Sequence, residues 1–319
     1  MGTKSKNAAS SKESKELARQ KTWDKVKSSK WLYIMLIPGV VYYLIFKYGP
    51  MFGLIAAFKD YQPFIGFFRS DWVGFKHFIR FFSDDSFWRL MNNTLSLSLL
   101  KLVFYFPAPI IIALLLNEVR VESFKRSVQS IIYVPHFLSW VVVASITYTL
   151  FTTEGGVVNG ILESIGIGPI NFLSSRAMFR PMIIFQNMWK EAGWGTIIFL
   201  AALAGVDVEM YEAARLDGAT RIKQIFYITL PAIKSTIITM FILRLGDIME
   251  SGFDQVFLMQ NAMNRDIADV FDTFVYRTGL VNGQLSYSTA AGLFKSMVGL
   301  ILVLVADRIA KKVGEEGIL

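Results

Sequence analysis

Long apolar stretches alternate with shorter polar ones along the chain, and six apolar stretches stand out, at about 31–58, 92–116, 128–152, 181–205, 232–250 and 289–310. A helix needs about 20 largely apolar residues to cross the hydrocarbon core of a bilayer. The pattern therefore predicts an all-α integral membrane protein with about six transmembrane helices. Prolines interrupt three of the stretches: Pro38 and Pro50 the first, Pro107 and Pro109 the second, and Pro135 the third. Each removes a backbone donor and kinks a helix, which a membrane tolerates where neighbouring helices or water satisfy the freed groups. Kinked spans dotted with polar residues suit a bundle that encloses a path, although each proline singly can equally well serve packing alone.

The placement of Lys and Arg sets the expected orientation, because cytoplasmic segments carry the excess. With the N-terminus inside, nineteen fall on the inner side, in residues 1–30, 117–127, 206–235 and after 305. Nine fall on the outer side, in 59–91, 153–180 and 251–288. Both termini are thus expected in the cytoplasm. Residues 1–30 form a basic cytoplasmic tail, and 31–319 form the transmembrane domain. The tail is long, polar and Lys-rich with no small-residue cleavage site beyond it, so a secretory signal is not expected there.

Composition narrows the chemistry. Hydrophobic residues make up 53% of the 319 and charged residues only 18%, against about a quarter charged in soluble domains. Cysteine is absent and the only histidines are His77 and His136, so disulfides, thiolate nucleophiles and histidine-based metal or acid–base sites are not expected. His136, after Pro135, reads as a packed or hydrogen-bonded residue. The net charge of +8 sits largely ahead of the first span, which favours anionic lipid over nucleic acid as its partner. No Gly-x-x-x-x-Gly-Lys-Ser/Thr loop is present, so the chain supplies no nucleotide site of this kind.

The segment 207–231, between the fourth and fifth stretches, reads as a helix–turn–helix. Glu212 to Leu216 are good helix formers, and Gly218 permits a tight reversal. Asp217 or Thr220 can cap the second helix, on which Ile222, Ile225, Phe226 and Leu230 recur near helical spacing. Pro231 then separates it from the next span. A short amphipathic hairpin on the cytoplasmic side is shaped to fill a groove on a partner protein.

This segment resembles the coupling loop of permeases in ATP-binding-cassette importers, whose pattern is Glu-Ala-Ala, three residues on Asp-Gly-Ala, then Ile-x-Leu-Pro. The match falls on Glu212, Ala213, Ala214, Asp217, Gly218, Ala219, Ile228, Leu230 and Pro231, with Arg221 between. Trp72-Val-Gly-Phe-Lys-His-Phe, Phe87, Asn93-Thr94, Ile37-Pro38 and Tyr48-Gly-Pro-Met are similar to the carbohydrate branch of these permeases. Within it, the resemblance is greatest to importers of oligosaccharides such as aldouronate and alginate. It spans nearly all of the chain from residue 31. It implies the type I importer permease fold in a bacterial cytoplasmic membrane, and half of a translocation path for an oligosaccharide. The implied partners are a second homologous permease, two ATPase subunits that hold ATP and Mg, and an extracytoplasmic solute-binding protein. No cofactor and no catalytic role are expected of this chain itself.

Counting from the hairpin, the resemblance places substrate contacts at Trp189 and Trp194 and at Arg244, near Asp247, and Ser251. Lys190 and Glu191 stand where relatives have small or apolar residues. Charges inside membrane spans are costly and usually face a cavity or a partner. Aromatic faces stack on sugars, and Arg grips a carboxylate in a bidentate fork. Arg244 or Lys190 is thus a candidate to meet an acidic sugar; equally, these groups can pair with Asp247, Glu191 or a partner subunit as structure. Lys101 and Lys295 read as lining water or snorkelling, and Asp84-Asp85 as solvated loop charges. Asn261, Arg265, Asp266, Asp269 and Asp272 are candidates to dock the solute-binding protein. An ion-gradient-driven secondary transporter is the alternative; it predicts inverted repeats, which the sequence does not display, and would leave the hairpin without a role. A membrane-embedded hydrolase would need a catalytic constellation that the residue content does not offer.

Overall fold

The computed structural model describes Lys25 and residues 27–312; the basic tail falls almost wholly outside the described residues. Among those residues the protein is helical, with a single isolated β-bridge between Lys59 and Trp72. The chain divides into two compact units, Met1–Ile55 and Ala56–Leu319. The first contributes helix α1, Lys30–Tyr43, which runs on through a π-helical turn at Leu44–Tyr48. Nothing in α1 is buried inside the protein despite Trp31, Leu36 and Ile37, as expected of a helix sided by lipid or by another chain.

The first α-helix of the second unit is the short α2, Lys76–Ser83. Asp84 starts α3, Ser86–Leu100: its carboxylate accepts from the Ser86 amide at 2.8 Å and the Ser86 hydroxyl at 2.6 Å. It also accepts from the Tyr287 hydroxyl at 3.0 Å, so Asp84 is a structural clamp and not a merely solvated loop charge. A π-helical turn at Lys101–Tyr105 joins α3 to α4, Pro107–Glu118. Pro107 and Pro109 fall in the first turn of α4, where the missing donor costs little.

Helix α5, Glu122–Tyr133, ends in a 3₁₀ turn at Val134–Phe137, and α6, Trp140–Phe151, leaves it at 100°. Pro135 removes a donor at the break, and Ser139 restarts the helix by accepting from the Val142 amide at 3.3 Å. The predicted span at 128–152 is therefore two helices at a right angle. Helix α7 follows at Val157–Ser164. Helix α8 runs unbroken through 29 residues, Arg176–Ala204, about 43 Å at 1.5 Å per residue. Then come α9, Val208–Leu216, and α10, Arg221–Gln224, which continues through a π-helical turn to Ala232. Helix α11, Lys234–Gly246, departs at 63°. Three short helices, α12 (Phe253–Met259), α13 (Arg265–Ala268) and α14 (Phe271–Tyr276), precede the long α15, Leu285–Lys312.

By length and composition, three continuous helical stretches among the described residues suffice to cross a membrane: Lys30–Phe58, Ser86–Glu118 and Leu285–Lys312. Each of the two bent pairs adds one more if it counts as a single span. Helix α8 is long enough, but Lys190 and Glu191 at its centre make it too polar to pass the same test.

Packing is closest where side chains are small. A Cβ on Gly193 would lie 2.0 Å from the Ile132 carbonyl, and one on Gly195 would lie 2.8 Å from the Pro109 ring, so α8 meets the backbone of α5 and the proline side chain of α4 at close range. Lipid is as apolar as leucine, so such van der Waals fit takes over from hydrophobic burial in holding membrane helices together. One cluster, including Leu97, Ile183, Val256 and Val270, ties α3 and α8 to α12 and to the loop ahead of α14. A second, around Phe81, Leu90, Phe271 and Tyr287, ties α2 and α3 to α14 and α15.

Candidate functional site

The hairpin at 207–231 forms as its sequence dictates, with one difference. Asp207 caps α9 by accepting from the Glu209 amide at 2.9 Å. Gly218, at φ +74°, ends α9, and its amide bonds Arg215 while the Ala219 amide bonds Ala214. This paired return closes the helix and satisfies its last carbonyls. Thr220 occupies the cap of α10, but neither its side chain nor that of Asp217 makes a capping bond. The two arms are held by Tyr211 and Thr229, whose hydroxyls meet at 2.9 Å, and by the Gln224 amide donating to Ala219 O at 3.0 Å. Arg221 reaches Glu118 at the end of α4, 3.4 Å away. Glu212, Ala213, Asp217, Gly218, Arg221 and Pro231 are exposed, whereas Ala214, Ala219 and Leu230 are partly buried. Leu216, Ile222, Phe226 and Tyr227 project outward, each more than 60% exposed. So large an apolar patch on a polar hairpin is the mark of an interaction surface.

A polar cavity of about 470 Å³ lies about halfway along α8. Asn187 and Glu191 line it from α8, Lys101 from the turn between α3 and α4, and Arg244 and Asp247 from the end of α11. Asp272 and Lys295 close it from α14 and α15 as an ion pair. Lys101 is the floor: its ammonium donates to the Ser251 carbonyl at 2.7 Å. The Arg244 guanidinium lies over the Tyr105 ring at 4.7 Å from the centroid. Neither cation has a carboxylate partner among the described residues. Two buried amide oxygens, on Asn187 and Gln255, also lack a protein partner and belong to cavity-lining residues. Asp247 and Glu250 also line the cavity without an ion-pair partner among the described residues, so it offers two cations, two carboxylates and free amide oxygens, a mixture suited to a polar ligand with both carboxylate and hydroxyl groups.

The sequence-derived candidates divide here. Arg244, Asp247 and Glu191 meet in the cavity, and Ser251 contributes its carbonyl through Lys101. Lys190 does not join them: it is 5% exposed and donates to the His136 carbonyl at 2.6 Å and to Glu191 at 2.9 Å. Glu191 in turn meets His136 Nδ1 at 2.7 Å. The internal pairing read as one alternative for Lys190 is thus the one observed. Trp194 stacks on His136, with centroids 4.4 Å apart and planes within 3°. Trp189 stands two residues from Asn187, about 200° around the helix, and lines a separate apolar pocket of about 270 Å³ with Val143 and Phe185. Lys101 and Lys295, read from the sequence as lining water or snorkelling, line this cavity, and so does Asp272, read as a candidate to dock the solute-binding protein. The outer acidic residues are also engaged: Asp269 with Arg277, Asp272 with Lys295, and Asp266 with Arg176.

Comparison with known proteins agrees with this geometry. Residues 87–315 match the family "Binding-protein-dependent transport system inner membrane component". The polygalacturonan/rhamnogalacturonan transport system permease protein YteP of Bacillus subtilis is 53% identical over 304 residues, covering 95% of both chains. Protein LplB of the same organism is 57% identical over 293 residues, covering 92% of both. A chain of the bacterial alginate ABC transporter, solved in complex with an alginate pentasaccharide-bound periplasmic protein, superposes with a TM-score of 0.85 at 41% identity, covering 93% of this chain and 99% of that one. With a family match over most of its length and relatives above 50% identity, the chain belongs to the binding-protein-dependent transport system inner membrane components, and is a transport subunit of an ABC importer and not an enzyme.

Proposed function

We propose that this chain forms half of the translocation path of a binding-protein-dependent importer for oligosaccharides that carry carboxylate groups. The observation that carries the proposal is the cavity beside α8, where Lys101 and Arg244 stand without carboxylate partners. Charge within a membrane span is costly unless it meets water or a partner, and an anionic sugar passing through would offset that cost at Arg244 and Lys101. Names of the relatives support the substrate class: one serves polygalacturonan and rhamnogalacturonan, another alginate. In this reading Arg244 and Lys101 meet the carboxylates, Asp247 and Asn187 bond hydroxyls, and Lys190 holds Glu191 and His136 in place. Trp189 and Trp194 serve packing or the partner permease.

The remaining parts follow from the same assignment. The chain crosses the bacterial cytoplasmic membrane about six times, with both termini inside. The hairpin seats its exposed Leu216, Ile222, Phe226 and Tyr227 on an ATPase subunit, which binds and hydrolyses ATP with Mg. A second, homologous permease completes the path, and a solute-binding protein delivers the sugar from outside. Closure of the ATPase pair moves the hairpin, and α8 carries that motion to the cavity. Family membership speaks against an ion-gradient-driven transporter.

The test is the ATPase activity of the full complex in lipid, with its binding protein, across neutral and uronic-acid oligosaccharides. Stimulation by acidic sugars, lost on Arg244→Gln or Lys101→Gln but retained on Trp189→Phe, is the expected result. Equal stimulation by neutral and acidic sugars would remove the carboxylate role, and failure of any ATPase to assemble with the chain would remove the coupling role.

A further inference from the structure

A second cavity, of about 480 Å³, opens at the N-terminal end of α8, the end opposite the hairpin. Four arginines line it, Arg89 from α3, Arg176 from α8, Arg265 from α13 and Arg277 after α14, against only two carboxylates, Asp266 and Asp269. Both carboxylates are taken. Asp269 is 1% exposed and accepts two bonds from Arg277, at 2.9 and 2.5 Å, and one from the Thr273 hydroxyl at 2.9 Å. Asp266 is paired with Arg176. The loop carrying them is fixed from behind: the buried Asn93 amide donates to the carbonyls of Asp266 and Asp269 at 2.8 and 3.0 Å. Arg89 and Arg265 are left exposed, with no ion-pair partner among the described residues. The wall is thus a satisfied polar network, and its surplus is two guanidiniums facing one hollow.

We propose that Arg89 and Arg265 form an outer capture site for the carboxylates of an anionic oligosaccharide, one stage above the cavity of Lys101 and Arg244. This proposal rests on the substrate class inferred above. Two features favour a sugar over an acidic side chain of a docked protein. First, the hollow is concave and roomy, with Ala262 and Met263 supplying an apolar lining beside the cations, as a sugar ring with a polar rim and apolar faces requires. Second, the two cavities lie on one side of the same segment: Asp269 lines the outer one and Asp272, three residues on, lines the inner one, with Arg176 and Asn187 about 16 Å apart along α8. An oligosaccharide of several uronate units leaving the first site can thus engage the second. Guanidiniums suit this task because each presents paired donors to a carboxylate and keeps its charge at any working pH.

The experiment is uptake into vesicles by the complete transporter with its binding protein. The probes are a galacturonic-acid trisaccharide and its fully methyl-esterified form, which keeps length and hydroxyls but has no charge. Arg89→Gln with Arg265→Gln is expected to raise the apparent KM for the acid about tenfold, leaving the maximal rate and uptake of the ester within about twofold. Arg89→Lys with Arg265→Lys should restore only part of the affinity, because an ammonium supplies the charge but not the paired donors. A KM raised equally for acid and ester would overturn the proposal and assign the arginines to the binding protein. An unchanged KM for the acid would also overturn it. Ester uptake is the internal control for folding. If the unaltered complex carried neither probe, nor was its ATPase stimulated by any saccharide, the importer reading itself would fall and the capture site with it.

Discussion

Single residues carry much of the specification. Gly193 is hydrogen at its side-chain position because the Ile132 carbonyl occupies the place of a Cβ. Gly193→Val should push α5 off α8 and lower the thermal midpoint of the purified complex, a loss of about 1–3 kcal/mol or more for overpacking. Gly160→Ala in α7, where a Cβ meets nothing within 4 Å, should be neutral or gain up to about 1 kcal/mol in the same assay. Gly218 is a different case, since its φ of +74° leaves open space but a left-handed backbone. Gly218→Val strains that turn by about 1–2 kcal/mol, and ATP hydrolysis should persist without proportional sugar uptake. Normal uptake at normal ATP cost would refute a coupling role for the turn. Asp84 supplies a pH-dependent clamp. The Ser86 hydroxyl above all, with the Ser86 amide and Tyr287 behind it, holds its carboxyl below the ordinary 3.8. A depressed folded pKa stabilises above the unfolded value and is lost as pH falls through the folded one. The stability gap between Asp84→Asn and the unaltered protein should therefore be open at pH 7 and close as acid takes the pH below 3.8.

Elements differ in how far their sequences announce them. The hairpin was legible in outline, because Glu212–Leu216 and Gly218 state helix and reversal in local terms, whereas Pro231 lies inside the second arm, which runs on to Ala232 before the chain turns. Its caps were less so: Asp207 caps the first arm through the Glu209 amide, while on the second arm, where the sequence offers Asp217 or Thr220, neither side chain makes a capping bond. The apolar stretches were legible as helices, but not the right-angle break after Pro135, since proline only frees a bond and the neighbouring helices decide where the chain then goes. Lys190 shows the limit most clearly. Its charge within an apolar run signals a polar partner, but sequence spacing cannot tell a substrate from the His136 carbonyl 54 positions away. Lys190→Met should therefore cost stability by leaving the His136 carbonyl without its donor and Glu191 with His136 alone, about 1–3 kcal/mol, whereas Lys101→Gln should alter sugar preference with little loss of fold. On the hairpin, Leu216→Ser with Ile222→Ser removes two exposed anchors. The permease should still insert in the membrane, and copurification of the ATPase should fall at least about tenfold.

At the scale of the whole molecule, one uninterrupted helix passes all three features: the arginine-lined hollow at Arg176, the inner cavity at Asn187 and Glu191, and the hairpin just beyond Ala204. A rigid element shared by distant sites obliges each to feel the others with equal strength, because linked equilibria close on themselves. Whatever factor a bound non-hydrolysable nucleotide imposes on sugar affinity, bound sugar must impose on nucleotide affinity. Typical couplings of about 1–3 kcal/mol put that factor at roughly 5- to 150-fold. Between Asn187 and Ala204 α8 carries no proline, so motion at the hairpin reaches the inner cavity without a joint, whereas Pro181 lies between that cavity and the outer hollow. The transporter would then be thrifty in fuel but intolerant of slack, and a proline placed between Glu191 and Ala204 should lower both reciprocal factors together while leaving each site able to bind its own ligand.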